Sequence, residues 1–381
     1  MVSMILFDVD GVLLSEERYF DATALTLWEM LFSPTYLGLP GEPFETQPSE
    51  DTIRAIRKKV FVDDQILDLM KNRGINSNWD MVYLSFAHQL LCILEQLLPA
   101  HREEVTDIIQ REITYDSLRR IAGLLKDQRV EIEYERFLTD FGQSAVEKQD
   151  LLLYLNDLVL SKLQVETHLF GATSSLWQLC QETFQEWYLG DELVVDNIGR
   201  APTQQGKRGF LSDEIPIVAP QEMAATLSAL QEKGITLGIG TGRPTVETMI
   251  PLQEMGLLDY FEADRIVTAS HVLNAERERP EYAPLSKPQP FCYIKGWLGM
   301  QATTQQCMET PLPIIDVAET LLIVGDSVAD LMAAQRIGCR FAAVLTGLSG
   351  QAARAQFEEL GADYILDDMR QVVEIVGEEQ N

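Results

Sequence analysis

The sequence predicts an α/β protein: a parallel sheet covered by helices on both faces, interrupted after its first strand by a long, mainly α-helical insertion. Three observations carry this prediction. From about residue 215 onward, short apolar runs of strand character alternate with helical segments, the pattern of a buried parallel sheet. Between about residues 15 and 211, apolar residues instead recur at helical spacing among charged ones. The N-terminal run Met4-Ile5-Leu6-Phe7 has no strand-like neighbour close to it in sequence, so its place is in the later sheet.

In chain order, residues 4–7 read as the first, buried strand. Helical segments follow at 52–70, 79–98, 103–111, 115–126, 134–163 and 174–188, punctuated by prolines and glycines at 34–48, Gly74, Pro99, Gly171 and Gly190. Further strands are expected at 235–239, 265–268, 320–324, 341–344 and 364–366, with one helix starting at Thr245 and another following Gly325-Asp326-Ser327 through Ala334. The resulting organisation is a discontinuous core, residues 1–14 and 212–381, with an inserted helical domain at 15–211.

Composition narrows the function. The chain has 381 residues and 46% hydrophobic content, enough for two or three cored domains. Its 59 acidic and 30 basic residues leave a net charge of −29, which disfavours binding to a phosphate backbone and so argues against a nucleic-acid partner. The five cysteines (92, 180, 292, 307 and 339) are scattered and form no CxxC pair, so they read as buried, reduced thiols of a cytoplasmic protein. No signal peptide and no uncharged stretch long enough to span a bilayer is expected, hence no membrane partner.

The chemistry starts where the first strand ends. Asp8-Val9-Asp10-Gly11-Val12 places two carboxylates two residues apart, on the same side at strand period, and ionised Asp is rarely buried without a counter-ion or metal. Three other strand-end or loop motifs can supply partners. Gly240-Thr241-Gly242-Arg243 offers a hydroxyl and backbone N–H groups at a strand-to-helix turn, a phosphate cradle, although a Gly-flanked Thr is also a common turn. Gly325-Asp326-Ser327-Val328-Ala329-Asp330 puts two carboxylates one helical turn apart; helix capping by Asp326 or Ser327 accounts for one such residue but not for both acids. In Ser286-Lys287-Pro288-Gln289-Pro290 the prolines restrict the backbone around Lys287. Four acids converging at one sheet edge would repel one another unless a hard cation such as Mg²⁺ neutralised them. With a lysine and a hydroxyl beside them, they describe a site for phosphoryl transfer.

This set, in this order, resembles the haloacid dehalogenase (HAD) superfamily of hydrolases, and more closely its phosphoglycolate-phosphatase-like members with a helical cap of the C1 type. The position of the insertion matches that cap, and residues 184–190, Phe-Gln-Glu-Trp-Tyr-Leu-Gly, look like its end. The resemblance implies a Rossmann-like catalytic core and a Mg²⁺-dependent phosphatase acting on a small phosphorylated substrate. Asp8 is then the nucleophile and Asp10 the acid/base. Thr241 and the Gly242 N–H hold the phosphoryl group, and Lys287 balances charge. Mg²⁺ is held by Asp8, the Asp10 carbonyl and Asp326, with Asp330 in direct contact or one layer out. A dehalogenase does not need the second acid, so Asp10 favours phosphate esters. A phosphosugar mutase would keep all four motifs, and a non-catalytic regulatory module is the third reading, although binding alone needs no nucleophile. The unusual size of the cap fits either a bulky substrate or a homodimer interface.

Remaining features carry less. His88, His101 and His271 read as structural, and His168 is the one histidine worth testing as a cap contact. Trp177, Phe184, Trp187 and Tyr188 read as packing. The loop Gly206-Lys207-Arg208-Gly209 reads as a solvated hinge, with contact to a substrate anion as the alternative. Arg243 either faces the phosphate or starts its helix.

Overall fold

The computed structural model describes residues 2–75, 77–147, 150–315 and 317–378. The chain divides into two units, Met1–Glu16 with Leu211–Asn381, and Glu17–Phe210.

The first unit is a six-stranded parallel sheet: β1 Met4–Phe7, β2 Thr236–Gly240, β3 Ile266–Val267, β4 Leu321–Gly325, β5 Arg340–Val344 and β6 Tyr364–Leu366, in the order β3-β2-β1-β4-β5-β6. β1 is central, with Phe7 opposite Ile239 of β2 on one side and Val324 of β4 on the other. A strand paired at both edges and covered on both faces must be apolar throughout, as Met4-Ile5-Leu6-Phe7 is. Ile5 and Phe7 pack with Met223, Leu227, Leu252 and Val372, while Leu6 enters the opposite layer with Phe291, Tyr293, Leu331 and Ile337. The chain passes from β1 to β2 on one side and reaches β4 on the other. That reversal opens a crevice at the carboxyl ends of β1 and β4, where open α/β sheets bind ligands. The predicted α/β class and parallel sheet are what the structure shows. Where the chain leaves β1 and where it returns, two segments pair: Ser15 N–H donates to Ile215 O at 2.8 Å and Ile217 N–H to Leu13 O at 3.0 Å.

The second unit is helical. Asn78–Ile109 runs through it and packs against Glu17–Phe32, Asp150–Leu163 and Ser175–Ile198. Several helices differ from expectation. The segment 52–70 is two helices, Glu50–Val60 and Gln65–Asn72, because Val62, Asp63 and Asp64 adopt φ of 53°, 55° and 64°. The apolar residues on both sides of that break stay buried, so the helical spacing carries across it unseen. Segments 79–98 and 103–111 run together across a kink at His101, and 174–188 continues to Ile198 across a kink at Gly190. Segment 134–163 divides into Arg136–Gly142 and Asp150–Leu163, with 148–149 outside the described residues. Asn78–Ile109 is long and apolar enough to cross a membrane by length and composition, although it carries charged residues such as Asp80 and Glu95; 89% of its apolar window is buried within the protein, as a core helix would be.

Lys207, read as part of a solvated loop, is instead buried, while Arg208 beside it is exposed. Lys207 has no exposed side-chain surface and lies 2.8 Å from Glu29 Oε2 and 2.7 Å from Glu186 Oε2, both equally buried. Glu186 Oε1 accepts from Arg200 at 2.8 Å and from the Thr203 N–H at 2.7 Å. Burial pushes the Glu29 carboxyl up to about 7 against the pull of Lys207. Burial acts on Glu186 the same way, but Lys207, Thr203 and Arg200 together hold it below its ordinary value. Glu186 is therefore the ionised partner of the lysine, and Glu29 the one that readily takes a proton.

Trp187, Phe184 and Tyr188 are buried, with Tyr188 stacked on Tyr19 at 4.5 Å, and His168 is exposed. His88 is buried against Asp140 at 2.8 Å, with Cys92 nearby, but Asp140 already pairs with Lys162 at 2.7 Å, so the group is internally neutralised. All five cysteines are free and buried.

Candidate functional site: an acid cluster at the carboxyl edge of the sheet

The four motifs meet where the strands end. Asp8 follows β1, and its N–H still donates to Val324 O of β4 at 2.9 Å, so its place is set by the sheet. Gly11 then turns the chain at φ +66°; a Cβ there would fall 2.2 Å from Asp326 Oδ2. A Cβ on Gly347, after β5, would fall 2.1 Å from the same oxygen. Both loops thus pass the Asp326 carboxylate at a distance only glycine permits.

Asp8, Asp326 and Asp330 offer carboxylate oxygens within 4.8 Å of one another. Lys287 Nζ lies 2.9 Å from Asp8 Oδ2 and 2.7 Å from Asp330 Oδ1, and 5.0 Å from the centre of the Tyr293 ring. Asp330 is engaged on both oxygens: the Tyr293 hydroxyl donates to Oδ1 at 2.7 Å and the Ser327 hydroxyl to Oδ2 at 2.6 Å. Ser327 also caps helix Val328–Ile337, so capping does not fall to Asp326. Thr241, after β2, is buried. Its backbone N–H donates to Val267 O and its hydroxyl accepts from the Arg243 N–H at 3.2 Å. Gly242 is exposed, with open space where a side chain would be.

Asp10 behaves differently from its neighbour. Its carboxylate meets Arg243, whose Nε and Nη2 both lie 2.7 Å from Oδ1. Arg243 is 1% exposed and its Nη1 lies 2.8 Å from Glu214 Oε1, so among the described residues it bonds acids rather than pointing from the helix start. Neither sequence reading of Arg243 anticipated this. Glu214 and Tyr293 were also missed: one is a charge in a linker, the other an aromatic at an ordinary core spacing, and neither stands in a strand-end motif.

Electrostatics separate the acids. Burial pushes Asp8 up to about 7; Lys287 opposes this, and Asp330 and Asp10 add to it. Burial likewise raises Asp10 to about 6, with Arg243 opposing and Glu16 and Glu214 adding. Burial would also raise Asp330, but Lys287, Ser327 and Tyr293 hold it below the ordinary carboxylate range. One lysine faces two acids, and Asp330, with three donors, keeps its charge. The rest of the cluster carries excess negative potential, which is where a hard cation fits.

A family model described as HAD-hydrolase-like matches residues 285–372, a stretch that contains Lys287, Asp326 and Asp330. The phosphoglycolate phosphatase of Pectobacterium atrosepticum is 27% identical over 157 residues, 41% of this chain and 54% of that protein. That of Neisseria meningitidis is 26% identical over 212 residues, 51% of this chain and 79% of that protein. The chain thus spans about half the length of the first of these relatives. An X-ray structure of a Northeast Structural Genomics Consortium target is 36% identical, with a TM-score of 0.87 and 99% of each chain covered.

Proposed function

The chain belongs to the HAD-like hydrolases, distantly similar to phosphoglycolate phosphatases, and on that premise we propose that it is a Mg²⁺-dependent phosphatase of a small phosphorylated metabolite. The observation that carries the reading is the Asp8–Lys287–Asp330 chain beside Asp326: a buried carboxylate with a raised pKa, held by a lysine whose second contact is an acid fixed by two hydroxyls.

HAD-like hydrolases typically use Mg²⁺, and an all-oxygen, multiply acidic donor set suits that ion. Asp8 and Asp326 would hold it with the Asp10 carbonyl, while Asp330, already engaged on both oxygens, orders Lys287. The ion would supply charge neutralisation at the transferring phosphoryl group. An Asp8 oxygen attacks phosphorus and the ester P–O bond breaks. Asp10 gives its proton to the leaving oxygen. Water then attacks the aspartyl-phosphate and loses a proton to Asp10, which releases inorganic phosphate and restores the Asp8 carboxylate. The Thr241 hydroxyl accepts from Arg243 N–H, so its own proton is available to a phosphoryl oxygen, with the exposed Gly242 N–H beside it. The helical unit is the proposed cap.

The test is a Mg²⁺-dependent phosphate-release screen over small phosphorylated acids, sugars and p-nitrophenyl phosphate, with 2-phosphoglycolate first because the relatives act on it by name. No turnover across such a panel would sink the reading.

Metal binding has its own signature. A carboxyl whose folded pKa is raised adds stability below its unfolded value, near 3.8, and that stability is lost as pH rises through the folded value, about 7 for Asp8 and about 6 for Asp10. Asp330, lowered instead, changes its contribution only below about 3.8. Mg²⁺ at a hundredfold excess over Kd is therefore expected to stabilise the protein by roughly 2.7 kcal/mol, and to raise the melting temperature more at about pH 8 than at about pH 5.5. Asp326→Asn should abolish most of the gain; equal gains at both pH values would contradict metal binding at Asp8.

A further inference from the structure

Among the described residues, Arg243 is the one buried cation at the sheet edge that the phosphatase reading leaves without a task. It is unusually well held. Nε and Nη2 converge on a single oxygen of Asp10, Oδ1, at 2.7 Å each. Nη1 lies 2.8 Å from Glu214 Oε1 and 3.4 Å from the Glu247 carbonyl, and Nη2 also lies 3.4 Å from the Ser15 carbonyl. Ser15 and Glu214 lie in or next to the two paired segments, 13–15 and 215–217, that frame the insertion. The guanidinium thus ties Asp10 to both segments, and Glu214 fixes its far end.

The consequence falls on the geometry of Asp10. An aspartate beside a glycine turn can rotate and exchange its two oxygens. Two charge-assisted bonds to one oxygen, from a planar group anchored at its other end, select one rotamer and one oxygen. With Oδ1 taken by Arg243, Oδ2 is the oxygen that would carry the transferred proton, and the Asp10 side chain is 24% exposed. A general acid acts only when its proton lies within hydrogen-bond reach of the leaving oxygen, and small misplacements cost large factors in rate.

We propose that Arg243 and Glu214 are positioning residues for proton transfer, Glu214 fixing Arg243 and Arg243 presenting Asp10 Oδ2 to the leaving oxygen. This rests on the phosphatase reading. It assigns a task to Glu214, which lies outside all four motifs, and distinguishes Arg243 from the groups that hold the phosphate.

The test compares two substrates of similar shape, p-nitrophenyl phosphate, whose leaving group departs without a proton, and phenyl phosphate, whose leaving group benefits from one. kcat/KM reports steps through departure of the leaving group. Glu214→Gln and Arg243→Lys should lose less than about tenfold on the first substrate and about a hundredfold or more on the second, the range general acid catalysis spans. The ratio of the two rates is read in one sample and does not depend on the fraction of protein correctly folded. Equal losses on both substrates, or none, would overturn the inference alone. A wild-type protein inactive on both would bring down the phosphatase reading and this inference with it.

Discussion

Asp8→Asn is expected to lower Mg²⁺-dependent hydrolysis of p-nitrophenyl phosphate by roughly 10⁴-fold or more, as loss of a covalent nucleophile does, while leaving the protein as stable as wild type or more so. The two halves of this expectation have one cause. Asp8 is buried, with its carboxyl pushed up to about 7, so the ionised form needed for attack is held against its solvation preference. An amide of the same shape needs no such compensation. Lys287 keeps Asp330, and the Val324 carbonyl keeps its bond to the backbone N–H of residue 8. Activity and thermal melting should therefore move independently, as is common for functional sites that give up stability. A variant that kept more than about a hundredth of wild-type activity would exclude Asp8 as nucleophile. One that lost its fold would show the carboxylate to be structural.

The second large effect lies in the helical unit. Lys207→Met should destabilise it by about 3–5 kcal/mol, because the substitution takes the buried cation away from the ionised Glu186 and leaves Glu29 beside an undercompensated charge. At roughly 2–4 °C per kcal/mol for a unit of this size, that is a fall in melting temperature of about 10 °C. Glu29→Gln should cost far less. Burial already pushes Glu29 up to about 7, so a neutral side chain there resembles the form the site favours, while Glu186 keeps Lys207, Arg200 and the Thr203 N–H. The contrast between the two variants, read by thermal melts near neutral pH, is the measurement. Similar melting temperatures for both would mean that Lys207 is not the hub of the cluster.

These two sites differ in how much of them the sequence reveals. Asp8, Thr241 and Asp326 were legible because each is just past the end of an apolar strand, where a polar residue breaks a pattern set by burial on both faces, and Asp330 because it follows Asp326 by one helical turn. Lys287 was legible from the two prolines that follow it in an ordered motif set. Lys207 was misread because a lysine between glycines looks the same in sequence whether it meets water or two buried acids. Its partners, Glu29 and Glu186, sit on distant helices and read there as ordinary charged positions. The helix break at 62–64 was invisible for a related reason: left-handed φ values at Val62, Asp63 and Asp64 do not disturb the spacing of the apolar residues on either side.

By itself the sequence determined the α/β class, the parallel sheet and the acids at its carboxyl edge. Those features follow from local periodicity and from residues contiguous with the strands that carry them. Only the tertiary structure decided which partner each charge takes. It turned Asp10 toward Arg243 and Asp8 toward Lys287, bound Asp330 on both oxygens, brought Glu214 in from a linker, and buried Lys207 between two helices. The reason is physical: the energy of a buried charge is set by whatever lies within a few ångströms of it, and those neighbours come from positions far apart in the chain.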